Sequence, residues 1–206
     1  EMSDEQIHGE VMTMVLAGYE TTSTALTWTL WLLARHPEIL GRLKAEVDAV
    51  LGGRAPEFVD MAALTYTRKV LLEGIRLYPP VWTTRRGFDE PHTICGVHIP
   101  ANQPVVLCPW VTHRLPEHWP DPERFDPERF EASTMAARPR HAYIPFAGGP
   151  HQCIGNEFAL VEGVVALAMI VQRFDVALVD HGPVPLRIVF TLTPGRPIMM
   201  RLRARG

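Results

Sequence analysis

The chain has 206 residues, of which 47% are hydrophobic and 21% charged, with a formal charge of −3. That length buries an ample core in one large domain or two small ones, and the balanced charge excludes a nucleic-acid footprint. Three cysteines, Cys95, Cys108 and Cys153, form no CxxC pair, which argues against a disulfide framework or a thiolate zinc site and for a reducing, cytoplasmic setting.

Ser3 starts the first predicted helix: its side chain can cap the backbone while Gln6 reaches back, and Asp4 and Glu5 complement the helix dipole. The apolar run from Val11 to Leu33 is long enough to span a bilayer. Glu20 would then lie near the midplane at a cost of about 2.5–3.5 kcal/mol, so a long helix through a protein core, ending near His36, is the expectation. Pro37 begins a second helix to about Val50, closed by Gly52 and Gly53. A third runs from Leu64 to about Leu77 and stops at Pro79 and Pro80.

Thirteen of the nineteen prolines fall between Pro79 and Pro150, a density hostile to helices and central strands. Short strands are expected at 93–99 and 104–108, around a turn containing Pro100 and Asn102. Residues 116–150 read as a long ordered meander studded with aromatics, a kind of loop that is usually functional. A last helix is predicted from Ile154 to about Arg173, followed by small β-hairpins from the alternation in 174–179, 186–192 and 197–202.

The sharpest segment is PFAGGPHQCIGNEFAL, residues 145–160. One cysteine sits between a glycine-rich loop and a helix start, where unpaired N–H groups and the dipole favour thiolate over thiol. Gly148 and Gly149 free the backbone, and Gly155 permits close approach behind the sulfur. A thiolate so placed is a nucleophile or a metal ligand.

Phe146, Gly149, Cys153 and Gly155 fit the haem-loop pattern F-x-x-G-x-x-x-C-x-G, and the chain here resembles the cytochrome P-450 haem-thiolate enzymes. The resemblance implies a mainly α (α+β) fold: a long distal helix, an E-x-x-R helix, a proline-rich meander, the Cys loop with its proximal helix, and small β-hairpins. It implies that Cys153 is the axial ligand of the iron in haem b (iron protoporphyrin IX). Where the family usually carries Arg two residues before the cysteine, this chain has His151, a weaker and pH-dependent donor to a propionate.

Glu73 and Arg76 in LLEGIRLYPP match the family's E-x-x-R pair, and Arg129 in FDPERF matches the arginine that joins it. Their implied role is structural, whereas Arg124 in the first DPERF copy is a decoy. In VWTTRRGF, Arg86 takes the place of a haem-propionate arginine, with Arg85 as the fallback; a solvated pair is the competing reading. His113 and Arg114 match a scaffold motif. AGYETT matches the pattern A-G-x-[D/E]-T-[T/S] on the distal helix: Ala17 and Gly18 leave room at the haem face, Glu20 relays protons, and Thr21 donates to dioxygen. For Thr21 the bland alternative is a bond back to a helix carbonyl.

Keeping both the acid and the alcohol implies a monooxygenase that inserts one oxygen atom of O2 into a small apolar substrate. Its electrons would come from NAD(P)H through a ferredoxin or a flavoprotein reductase. The resemblance covers residues 1–206 as the carboxy-terminal part of a single domain whose amino-terminal half is absent, so a membrane anchor upstream stays open. A second hypothesis is a non-catalytic fragment that binds haem poorly or not at all.

Overall fold

The computed structural model describes residues 2–205. Helix α1 spans Asp4–Arg35, and both halves of its capping box form: Ser3 Oγ accepts from Gln6 N–H, and Gln6 Oε1 from Ser3 N–H at 2.9 Å. The helix is buried only in its second half, at Thr24, Ala25, Trp28, Thr29, Leu32 and Leu33. Residues Asp4–Tyr19 are exposed throughout, so the expectation of a helix wholly inside a core is corrected. No helix among the described residues is long and apolar enough to cross a membrane.

Helix α2 (Pro37–Leu51) opens with proline at its first turn and ends on Gly52 in the left-handed region, at φ 56°. Helix α3 (Thr65–Leu77) follows a short 3-10 segment, Phe58–Ala62. The buried halves of α1, α2 and α3 gather around a core of Leu32, Leu33, Leu43, Leu64, Val70 and Leu71.

Strand β1 (Thr84–Arg86) pairs antiparallel with β4 (Val105–Leu107). Between them β2 (His92–Ile94) and β3 (Val97–Ile99) form their own hairpin. The predicted strand 93–99 is therefore folded in two. Its turn is Cys95–Gly96, with φ values of 49° and 80°, the positive pair that a two-residue hairpin turn needs. A short helix, α4 (Pro109–Thr112), precedes the meander, which itself contains a 3-10 segment, Pro127–Phe130, and a short helix, α5 (Ala132–Ala137).

Helix α6 (Asn156–Arg173) begins past the predicted Ile154 and packs on α1, α2 and α3. The tail is nested: β5 (Phe174–Leu178) pairs with β8 (Met200–Ala204) around an inner hairpin of β6 (Leu186–Ile188) and β7 (Leu192–Pro194).

Two glycines set how closely α3 is packed. A Cβ on Gly74 would lie 2.2 Å from Thr29 Oγ1 and 3.4 Å from Thr29 Cα. Thr29 is buried, stiff at χ1 and bonded to Ala25 O at 2.8 Å, so it has nowhere to swing. Overpacking costs about 1–3 kcal/mol against a helix-propensity gain of about 1 kcal/mol. Gly74→Ala is therefore expected to lose up to about 2 kcal/mol net, read as a lower denaturant midpoint. Gly163→Ala, which meets only the end of the Leu71 side chain at 2.6 Å and no backbone, should lose less.

Candidate functional site

The meander is held by a buried ion cluster on α3. Glu73 and Arg76 are both fully buried and pair through a fork, Nε to Oε2 at 2.6 Å and Nη2 to Oε1 at 2.9 Å. Arg76 also donates to His113 O at 2.8 Å and Arg124 O at 3.2 Å, while Asp126 N–H donates to Glu73 Oε1 at 2.9 Å. Arg129 stands 3.5 Å from Glu73 and donates to Asp121 O at 2.8 Å. Burial pushes the Glu73 carboxyl up; the Arg76 donors, the Asp126 N–H and the Arg129 charge pull it back. The three residues expected to meet do meet, and Arg124 contributes only its backbone carbonyl.

From this cluster a chain of bonds runs to the cysteine loop. The His113 ring, fully buried, accepts from Ile144 N–H through Nε2 at 2.9 Å. Tyr143 Oη donates to Leu72 O at 2.9 Å, and Trp119 Nε1 to Ala142 O at 3.2 Å. Sequence reasoning took His113 as scaffold without finding this link. The signal was there in the histidine of HRLPEHW, but its partner lies 31 positions on.

The loop then turns through Ala147 at φ 58° and Gly149 at φ 68°, and Cys153 N–H donates to Phe146 O at 2.9 Å. Phe146 is partly buried against the core, which roots the loop. Gly149 is the glycine whose conformation a side chain would strain. Gly155 differs from expectation: a Cβ there would lie 3.9 Å from Cys153 Sγ, an ordinary contact, so the sulfur does not crowd it. The Cys153 thiol itself is exposed, as are His151 and the neighbouring Ile154 and Phe158.

Arg86 and Arg85 lie on β1, so their side chains leave opposite faces of the strand. Arg86 is half-buried and donates to Thr84 Oγ1 at 3.1 Å and to Arg85 O at 2.8 Å; Arg85 is exposed. Only one of them can serve a ligand on a given side.

On α1, Ala17 and Gly18 are bare, with nothing within 4 Å of the place a Gly18 Cβ would occupy. Thr21 Oγ1 donates to Ala17 O at 2.6 Å, the back-bond that was its bland alternative. No groove opens in the helix there, because α1 runs unbroken through Thr21. The Glu20 carboxylate accepts from Thr191 Oγ1 at 2.5 Å across 171 positions of sequence.

Among the described residues no group of three His, Cys, Asp or Glu side chains is placed to hold a metal ion. The exposed Cys153 thiol could serve as the single protein ligand of a group that brings its other donors with it, as haem does. The architecture and this thiol define a haem-thiolate type of protein.

The Cytochrome P450 family model matches residues 1–200, and the chain belongs to that family. It is 42% identical over 199 residues to a cyclooctatin synthase of Streptomyces melanosporofaciens, covering 97% of this chain and 43% of the relative. A pentalenene oxygenase of Streptomyces avermitilis is 35% identical over 204 residues, covering 99% and 45%. The crystal structure of the cytochrome P450DA heme domain superposes with a TM-score of 0.95 at 33% identity, covering 100% of this chain and 46% of that one. The chain thus spans less than half the length of these relatives.

Proposed function

We propose that residues 1–206 are the carboxy-terminal part of one monooxygenase domain, which inserts one oxygen atom of O2 into a small apolar substrate. When bound, haem b supplies the activation of dioxygen, favoured by electron donation from a cysteine thiolate. Cys153 would be the protein ligand that holds it, carried on the loop that Phe146, Gly149 and Gly155 shape. Arg86 and His151 hold its propionates, and Ala17 and Gly18 leave space on the opposite side. Glu20 holds and passes protons as a general acid, and Thr21 relays them after releasing its bond to Ala17 O. Glu73, Arg76 and Arg129 keep the cysteine loop in place.

Electrons reach the site from NAD(P)H through a ferredoxin or flavoprotein reductase in a cytoplasmic setting. The oxygenase named among the relatives supports the reaction class. The observation that carries the reading is the exposed Cys153 thiol, rooted through His113 in a buried ion cluster and otherwise without a task.

A second reading, a chain that binds haem poorly or not at all by itself, is favoured by the exposure of Cys153 and of Asp4–Tyr19 on α1. Reconstitution with haem, followed by the spectrum of the reduced carbon-monoxide complex, separates the two. A red-shifted thiolate-type Soret band that disappears in Cys153→Ser is expected. Absence of haem uptake decides for the second reading, and a band unaffected by Cys153→Ser rejects Cys153 as the ligand.

A further inference from the structure

The inner tail hairpin makes an unusual contact with α1. Its tip carries Val189 and Phe190 exposed but Thr191 fully buried. Thr13, Thr21, Thr27 and Thr29 of α1 all bond back to a carbonyl one turn earlier. Thr191 instead gives its proton to a carboxylate, Glu20 Oε1, at 2.5 Å. That length is typical of a charge-assisted O–H···O⁻ bond, the stronger kind.

The tip is fixed independently of this bond. Trp28 Nε1 donates to Leu192 O at 2.7 Å, and Leu192 N–H donates to Pro80 O at 3.0 Å. Trp82 Nε1 reaches Val189 O at 3.4 Å. Trp28 is itself stacked on Tyr78, with ring centroids 4.1 Å apart and planes at 13°. Glu20, Thr24 and Trp28 follow at i, i+4 and i+8, so one face of α1 meets the hairpin twice. A β-branched side chain on a pinned tip has little rotamer freedom, whereas a glutamate on a helix has much.

We propose that Thr191 is a positioning residue for Glu20: its hydroxyl holds the carboxylate in one orientation on the face of α1 that also carries Trp28. The proposal rests on the reading of Glu20 as the proton relay. A relay whose donor wanders among rotamers loses most of the advantage of being intramolecular. Thr191 supplies that order from a distant part of the chain.

The test uses the full-length haem-loaded enzyme and compares Thr191→Val, Thr191→Ser, Glu20→Gln and the double variant Glu20→Gln with Thr191→Val. Loss of one hydrogen bond to a charged group should lower turnover at saturating substrate roughly tenfold in Thr191→Val. KM should change less than about twofold, product formed per NAD(P)H consumed should fall, and the solvent isotope effect on turnover should rise. Thr191→Ser should recover turnover to within about twofold, since it keeps the donor. The double variant should be no worse than Glu20→Gln, and its shift in unfolding midpoint should fall short of the sum of the single shifts. Amide exchange over residues 188–194 should be unchanged in Thr191→Val, because the backbone pins persist.

Wild-type turnover in Thr191→Val beside a damaged Glu20→Gln overturns the positioning role and leaves the relay standing. Unchanged turnover in Glu20→Gln overturns the relay and the proposal with it. Faster exchange over 188–194 with no recovery in Thr191→Ser assigns Thr191 to the scaffold and also overturns the proposal.

Discussion

Arg76→Ala is expected to destabilise the protein by about 3–5 kcal/mol, the cost of stranding one partner of a buried ion pair. Glu73 would keep the Asp126 N–H and the Arg129 charge 3.5 Å away, but it would lose both fork bonds. His113 O and Arg124 O would lose their donor as well, each at a cost of about 1–3 kcal/mol if left dry. The same change at Arg42 makes the contrast. Its pair with Glu128, 2.5 Å apart, has side chains 60% and 44% exposed, so Arg42→Ala should cost no more than about 1 kcal/mol. Replacing Glu73 and Arg76 together by methionines should cost less than Arg76→Ala alone, yet more than nothing, because the meander carbonyls still lack their donor. Denaturant midpoints of the four proteins order these effects. Equal midpoints for Arg76→Ala and Arg42→Ala would sink the claim that burial makes the difference.

Spacing alone shows that Glu73 and Arg76 can pair, as a solvated surface pair would, while their burial and the approach of Arg129 were implied only by the family resemblance. An i,i+3 pair on a helix is set by local geometry, and the helix had clear stops at Pro79 and Pro80. The cysteine loop was legible for a similar reason, since Gly149 takes a backbone angle that other residues resist. What failed was information carried between distant segments. β1 is absent from the strands expected in the sequence because its partner, β4, lies beyond an intervening hairpin. That hairpin was missed because its turn puts Cys95, rather than an asparagine or aspartate, in the left-handed region.

The most instructive difference concerns Glu20. It is expected on a helix through a core and is instead half-buried, at the boundary between the exposed and the buried half of α1. The helix around it is exposed on its amino-terminal side up to Tyr19, and the carboxylate has a partner contributed by the tail hairpin. Nothing in α1 encodes that partner. Apolar composition fixed that Val11–Leu16 would favour cover, but not whether any segment of this chain supplies it.

The second large effect is acid lability centred on His113. Burial, with the Arg76 and Arg114 charges in support, pushes its imidazole down from the usual 6.5 to about 3. The fold therefore holds the neutral ring, while the unfolded chain takes up a proton near pH 6.5. The stability this contributes is fully present above pH 6.5 and is lost as the pH falls from there towards 3. At about 1.36 kcal/mol per pH unit the loss is about 2 kcal/mol at pH 5 and about 5 kcal/mol by pH 3. The geometry says why no easy escape exists. Nε2 is already an acceptor for Ile144 N–H, so a proton there would set two donors face to face. Nδ1 therefore carries the proton of the neutral ring and is buried without a partner, so the charge of a protonated ring would go unsatisfied beside two arginines. Protonation at Nε2 detaches Ile144 and with it the run to Cys153. His113→Gln can still accept from Ile144 N–H through its amide oxygen but cannot titrate. It should be less stable than the parent at pH 7, and the gap should shrink by about 2 kcal/mol at pH 5, measured by denaturant unfolding at each pH. A gap that stays constant between pH 7 and pH 5 would show that His113 is not the residue that makes the cysteine loop acid-sensitive.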